Sequence, residues 1–134
     1  MKNIKDVVKT VERPIKVLQF GEGNFLRAFV DWIIDQLNEK GDFNGNVMLV
    51  QPLDRGLAGM IIDQNGLYTT VLRGVQNGKP VEEFRQITSV AGCINPYSEY
   101  EKFIAQAENP DLRFIISNTT EAGIAYHEGD KLDD

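Results

Sequence analysis

The stretch Ile15-Lys-Val-Leu-Gln-Phe-Gly-Glu-Gly-Asn-Phe-Leu-Arg-Ala-Phe-Val30 decides the fold. A short apolar run ends in two glycines one residue apart, and an apolar pattern of helical period begins at once. A strand, a glycine turn and a helix N-terminus in that order make a device for holding phosphate. Glycine adopts positive φ without strain and lets a ligand come close to the backbone. The first N–H groups of a helix have no partners within it and carry the positive end of its dipole. Gly21 and Gly23 therefore read as the first two glycines of a dinucleotide fingerprint, flanked by Phe20, Asn24 and Phe25. Leu26 stands where the third glycine would be, so Leu26 or the small Ala28 fills that space. Glycine turns of this kind also occur in α/β proteins that bind no nucleotide.

Downstream, Leu26, Phe29, Val30, Ile33, Ile34 and Leu37 keep a helical period, with Asn24 placed to cap the start and Gly41 to stop the end. Asn46 to Val50 reads as a second buried strand, which closes a right-handed βαβ unit. The loop Gln51-Pro-Leu-Asp-Arg-Gly56 follows, then a short helix over Leu57 to Asp63. From Leu67 the period changes to two. Leu67–Arg73 and Val81–Thr88, joined across Asn77-Gly78, predict a β-hairpin. Val90–Ile94 is a further strand of the main sheet, and a helix runs from Asn95-Pro-Tyr-Ser to about Ala107. Leu112–Ile116 is a last buried strand, with Ser117–Gly123 at its carboxyl end. Ahead of the first strand, Ile4, Val7, Val8 and Val11 are spaced as on a short helix that Arg13-Pro14 ends. The expected class is α/β: a Rossmann-like NAD(P)-binding domain, mostly parallel sheet, with an inserted β-hairpin.

Apolar content of 42% and charged content of 25% fit an ordinary globular chain. At 134 residues the chain is one domain by size. The net charge of −6 and pI near 4.8 disfavour nucleic acid or an anionic membrane as the main partner. An anionic cofactor stays compatible, because backbone N–H groups and a helix dipole act locally. A single cysteine, Cys93, leaves no internal disulfide. The N-terminus lacks a signal-peptide core and no run reaches membrane-spanning length, so a cytoplasmic protein is expected. The chain turns polar after Ile124 without completing an element. Residues 1–134 are therefore expected to be the truncated N-terminal dinucleotide-binding part of a longer protein.

The fingerprint expects an acid at the end of the second strand, where it would hold the adenosine ribose. Gln51 stands there, and Asp54 follows three residues on. Asp54 can serve the ribose or simply bond its own turn. Arg55 beside it could instead meet a 2′-phosphate. Asn118, Thr119 and Thr120 lie outside a strand end, where open α/β sheets bind ligands; a helix cap is the plainer use of the threonines. His127 reads as solvated and Cys93 as core. No His, Cys and carboxylate set has metal-ligand spacing, so no metal is expected.

Four stretches together resemble the mannitol dehydrogenase family of long-chain polyol dehydrogenases. They are Gln19-Phe-Gly-Glu-Gly-Asn-Phe-Leu-Arg-Ala-Phe29, Val50-Gln-Pro-Leu-Asp-Arg-Gly56, Gly66-Leu-Tyr-Thr-Thr-Val-Leu-Arg-Gly74 and Ser117-Asn-Thr-Thr-Glu-Ala-Gly-Ile124. The resemblance implies an enzyme that uses NAD(H) to interconvert a small sugar acid or polyol and its keto form. It implies a second, helical domain carrying a catalytic lysine with asparagine and histidine partners, so no catalytic residue is expected within this chain. It also makes Asp54 the match for the family's acidic ribose contact. Many relatives have His-Arg-Ala where Leu26-Arg-Ala stands here, so no role of that histidine carries over. A rival of another class is a non-catalytic nucleotide-binding module that keeps the fold alone.

Overall fold

The computed structural model describes residues 4–6, 9–118 and 129. Strand β1 (Ile15–Phe20) leads through the glycine turn into helix α1 (Asn24–Lys40) and back to strand β2 (Asn46–Val50). Helix α2 (Ala58–Asp63) precedes a hairpin of β3 (Tyr68–Gln76) and β4 (Lys79–Ile87). Strand β5 (Val90–Ile94), helix α3 (Tyr100–Ala107) and strand β6 (Phe114–Ser117) complete the described elements. Among the described residues the main sheet has the order β5-β2-β1-β6, and every pairing is parallel. The chain moves outward from β1 to β2 and β5, then returns to the other flank of β1. This reversal makes the carboxyl ends of β1 and β6 a topological switch point, where open α/β sheets place ligands.

The core lies between the sheet and its flanking elements. Val17, Val47, Leu49, Val90 and Cys93 of the strands meet Ile34 of α1, Ala58 and Ile61 of α2, and Ile87 at the end of the hairpin. The hairpin turn is set by Asn77 and Gly78, both at positive φ (54° and 76°), the geometry that an Asn-Gly pair favours. Helix α1 ends where Gly41 donates its N–H to the Leu37 carbonyl at 2.9 Å.

Several expectations are corrected. The N-terminal segment is not a helix running to Arg13. A short 3₁₀ turn covers Ile4–Asp6, and Arg13 and Pro14 approach the sheet without helical structure. Asn46 explains this: its side chain accepts from Arg13 Nη1 (3.0 Å) and donates to the Val11 carbonyl (3.0 Å), while its N–H donates to the Pro14 carbonyl. Helix α3 begins at Tyr100 rather than at Asn95, because Asn95 Oδ1 takes the Tyr97 N–H and its carbonyl takes the Ser98 and Glu99 N–H groups in a turn. Strand β6 is present but starts at Phe114 and is not buried. Phe114 and Ile115 are 55% and 66% exposed, because β6 is the edge strand of the described sheet.

The largest difference concerns α1. Of its apolar positions, Leu26 and Ile34 are buried, but Phe29, Ile33 and Leu37 are exposed, as is Phe25. Arg27, Asp31 and Asp35 share the buried face with Leu26 and Ile34. The hairpin and the segment leading into β5 pack onto this face and bond to it. Tyr68 donates to the Arg27 carbonyl (2.6 Å), Ser89 Oγ to the Asp31 carbonyl (2.9 Å), and Arg85 Nε to Asp35 Oδ2 (2.7 Å).

Candidate functional site

The site is built on the β1–α1 turn. Gly21 has φ of +129°, and a Cβ there would stand 3.1 Å from Leu26 Cδ1. Only glycine takes this turn without strain. Its N–H donates to the Val50 carbonyl at 2.9 Å, which ties the turn to the end of β2. Gly23 caps the helix, and a Cβ on it would meet open space within 4 Å. No side chain caps this end of α1, and the first helical bond runs from the Arg27 N–H to the Gly23 carbonyl. The preceding N–H groups are left for an outside acceptor. An anionic group can therefore approach the backbone over Gly23, and a pyrophosphate fits that open cradle.

Asn24 is not the cap that its position suggests. Its Oδ1 accepts from Arg27 Nη2 at 2.7 Å, one turn along the helix. The Phe20 ring is half-buried and packs edge-on against Phe103 of α3, 5.9 Å between centroids. Phe25 is 61% exposed and lies against Phe29 on the outer side of α1. Asn118 follows Ser117, which pairs with Phe20, so the backbone brings Asn118 alongside the glycine turn. Thr119, like Thr120 and His127, lies outside the described residues.

On the β2 side, Gln51 is buried and fully engaged. Its Nε2 donates to the Leu53 and Asp54 carbonyls (2.7 and 3.1 Å), and its Oε1 accepts the Ala58 N–H (3.0 Å). The glutamine at the expected acid position thus braces the loop instead of facing a ribose. Asp54 and Arg55 are both exposed on that loop.

A polar group beneath the turn was not legible from motif spacing. Gln19 is fully buried on β1, and its Nε2 donates to the Gly21 carbonyl (3.0 Å) and to Asp31 Oδ2 (3.4 Å). The Tyr68 hydroxyl also reaches Asp31 Oδ2 (3.4 Å), and the Arg27 guanidinium lies over the Tyr68 ring at 5.4 Å. Burial pushes the Asp31 carboxyl up to about 7, against the lowering effects of Gln19, Tyr68 and Arg27. Burial and then the Asp31 charge push the Tyr68 phenol up as well. The one sequence signal for this group was a glutamine interrupting a strand that otherwise reads as buried.

Cys93 is core, as its apolar setting suggested; burial, then the Glu22 and Glu99 carboxylates, push its thiol up to about 12. Among the described residues no His, Cys, Asp and Glu group could hold a metal ion. A cavity of about 760 Å³ lies away from the glycine turn, between the segment Thr10–Arg13 and the flank of β5. Among the described residues no helix is long and apolar enough to cross a membrane.

A parallel sheet with a glycine turn at its switch point and an uncapped helix behind it defines a Rossmann-like domain. The chain belongs to the mannitol dehydrogenase family: the family's "Mannitol dehydrogenase Rossmann domain" matches residues 15–131. It is 48% identical over 130 residues to an altronate oxidoreductase of Phocaeicola vulgatus, covering 97% of this chain and 27% of that protein. It is 53% identical over 122 residues to one of Shigella sonnei, covering 90% and 25%. The chain thus spans about a quarter of the length of these relatives. Among solved structures, the ternary complex of Pseudomonas fluorescens mannitol 2-dehydrogenase with NAD and D-mannitol superposes with a TM-score of 0.70 at 22% identity, over 84% of this chain and 23% of that one. A substrate-free D-sorbitol dehydrogenase gives 0.68 at 21% identity, over 86% and 24%. These two likenesses establish the fold.

Proposed function

We propose that this chain is the NAD-binding part of an oxidoreductase that interconverts D-altronate and D-tagaturonate. The observation that carries the reading is the open cradle over Gly23, set by the positive φ of Gly21 in front of an uncapped helix. The names of the relatives support the sugar acid, since both at about half identity are altronate oxidoreductases. A bound dinucleotide supplies the hydride acceptor and donor. This chain's own residues bind and orient it. The backbone of Gly21, Gly23 and Asn24 takes the pyrophosphate, with Phe20 and Phe25 framing the turn. Asn118 borders the same turn from the β6 side, Thr119 next to it in the chain is a further candidate contact, and the adenosine end falls toward the loop carrying Asp54.

Groups that move the substrate proton belong to a helical domain beyond Asp134, in the cytoplasmic enzyme envisaged here. The test is a substrate panel on the longest form the gene encodes, read by formation of reduced nicotinamide. Preference for D-altronate supports the reading. Preference for mannitol, or for the partner acid of a fructuronate reductase, would transfer it to a sister enzyme. Absence of nicotinamide binding would favour the non-catalytic module. The 134-residue chain alone should bind cofactor without turnover, and altronate-dependent NADH formation by it would refute the assignment of chemistry to a second domain.

A further inference from the structure

The peptide unit that joins Gly21 to Glu22 is gripped from below by a side chain outside the glycine fingerprint. Gln19 is fully buried on β1, and its Nε2 donates to the Gly21 carbonyl at 3.0 Å. The same nitrogen donates to Asp31 Oδ2 at 3.4 Å. Both neighbours are acceptors, so the amide can face them only with its N–H groups. The Tyr68 hydroxyl flanks the same Asp31 oxygen at 3.4 Å. Asp31 thus fixes which end of the Gln19 amide meets the turn.

The other polar group of Gly21 is committed as well, since its N–H donates to the Val50 carbonyl at 2.9 Å. This matters because Gly21 sits at φ +129° and has no side chain to restrict it. Glycine permits either orientation of the peptide that follows, so an outside clamp must select one. A trans peptide points its C=O and its N–H in opposite directions. With the Gly21 carbonyl turned onto Gln19, the Glu22 N–H points the other way. That N–H and the Gly23 N–H donate to no backbone carbonyl among the described residues. They extend the row of donors at the uncapped start of α1. A flipped peptide would present an oxygen to a phosphate in place of an N–H.

We infer that Gln19 is a positioning residue for the dinucleotide: by holding the Gly21 carbonyl it keeps the Glu22 N–H, rather than a carbonyl, on the pyrophosphate side of the turn. Asp31 secures the amide that does this. The inference rests on the cofactor reading above.

The test is Gln19→Met in the longest form the gene encodes. Methionine keeps the length and bulk of the side chain and removes the donor. NADH binding is read by nicotinamide fluorescence, and ADP and adenosine by displacement of NADH. NADH and ADP should weaken at least tenfold, whereas adenosine, which has no phosphate, should change less than twofold. A merely structural role would weaken all three alike, and that result would overturn the inference. Unchanged NADH binding in a folded variant would overturn it too, while leaving the cofactor reading intact. Should Gln19→Met unfold, the double variant Gln19→Met/Asp31→Leu removes both partners together and leaves no orphaned charge, and the same split between NADH and adenosine is expected. Failure of both variants to fold would make Gln19 a residue of the core alone and refute the positioning role. A wild type that binds neither NADH nor ADP would remove the cofactor reading itself.

Discussion

Asp31→Asn should make the protein more stable above neutral pH and change it little in acid. Asp31 is fully buried on the inner face of α1, and burial raises its carboxyl from 3.8 to about 7. One oxygen takes weak bonds from Gln19 and Tyr68 at 3.4 Å each, while Oδ1 has no partner among the described residues. Gln19 Oε1, in the same pocket, also lacks a donor. A protonated Asp31 places a hydroxyl among these acceptors, whereas an ionised one adds a buried charge. Between pH 4 and 7 the folded chain therefore holds a proton that the unfolded chain has lost. Stability then falls with rising pH, by up to about 1.4 kcal/mol per pH unit from this group. The contribution is whole below pH 4 and gone above pH 7. Integrated over that window it amounts to about 4 kcal/mol, with the lowering by Arg27 already contained in it.

Asparagine keeps the shape and cannot ionise. Urea unfolding at pH values from 4 to 8 measures the effect directly. The stability of Asp31→Asn relative to wild type should rise by a few kcal/mol across the series, with the steepest change between pH 5 and 7. Parallel wild-type and mutant curves would show that Asp31 titrates alike in the folded and unfolded states, and the reasoning from burial would fail.

Other buried pairs and tight turns of the fold respond to substitution in defined ways. Arg85→Ala leaves Asp35, whose side chain is 5% exposed, without its ion pair at 2.7 Å; the loss should be about 3–5 kcal/mol in chemical denaturation, since an unpaired buried charge remains. Gly66→Ala meets the Val90 carbonyl at a backbone φ of +75°, so a loss of about 2 kcal/mol or more is expected in thermal unfolding, with the junction of α2 and β3 displaced. The two glycines of the turn should separate in effect. Gly21→Ala, at φ +129° and 3.1 Å from Leu26, should lower stability by about 1–2 kcal/mol, whereas Gly23→Ala, facing open space, should fold normally and lose dinucleotide binding in a fluorescence titration.

The elements legible from sequence are those fixed by neighbours in the chain. The β1–turn–α1 unit, the Asn77-Gly78 hairpin and the stop at Gly41 each rest on residues a few positions apart, and each stands where its pattern placed it. What the pattern could not show is which face of α1 turns inward. Phe29, Ile33 and Leu37 recur every four residues within the apolar pattern, yet they are exposed in the described structure. Asp31 and Asp35 stand outside that apolar pattern and are buried, with most of their partners 37 to 58 residues away.

These distant partners share one origin. Tyr68 and Arg85 belong to the inserted hairpin, and Thr88 and Ser89 follow it directly. The insertion looks like an ornament on a dinucleotide fold when read along the chain. In three dimensions it supplies donors to two buried acids of α1, Asp31 and Asp35, and Gln19 links Asp31 to the Gly21 carbonyl at 3.0 Å. Asp31 and Gln19, two residues outside the glycine fingerprint, thus connect the hairpin base to the glycine turn by hydrogen bonds.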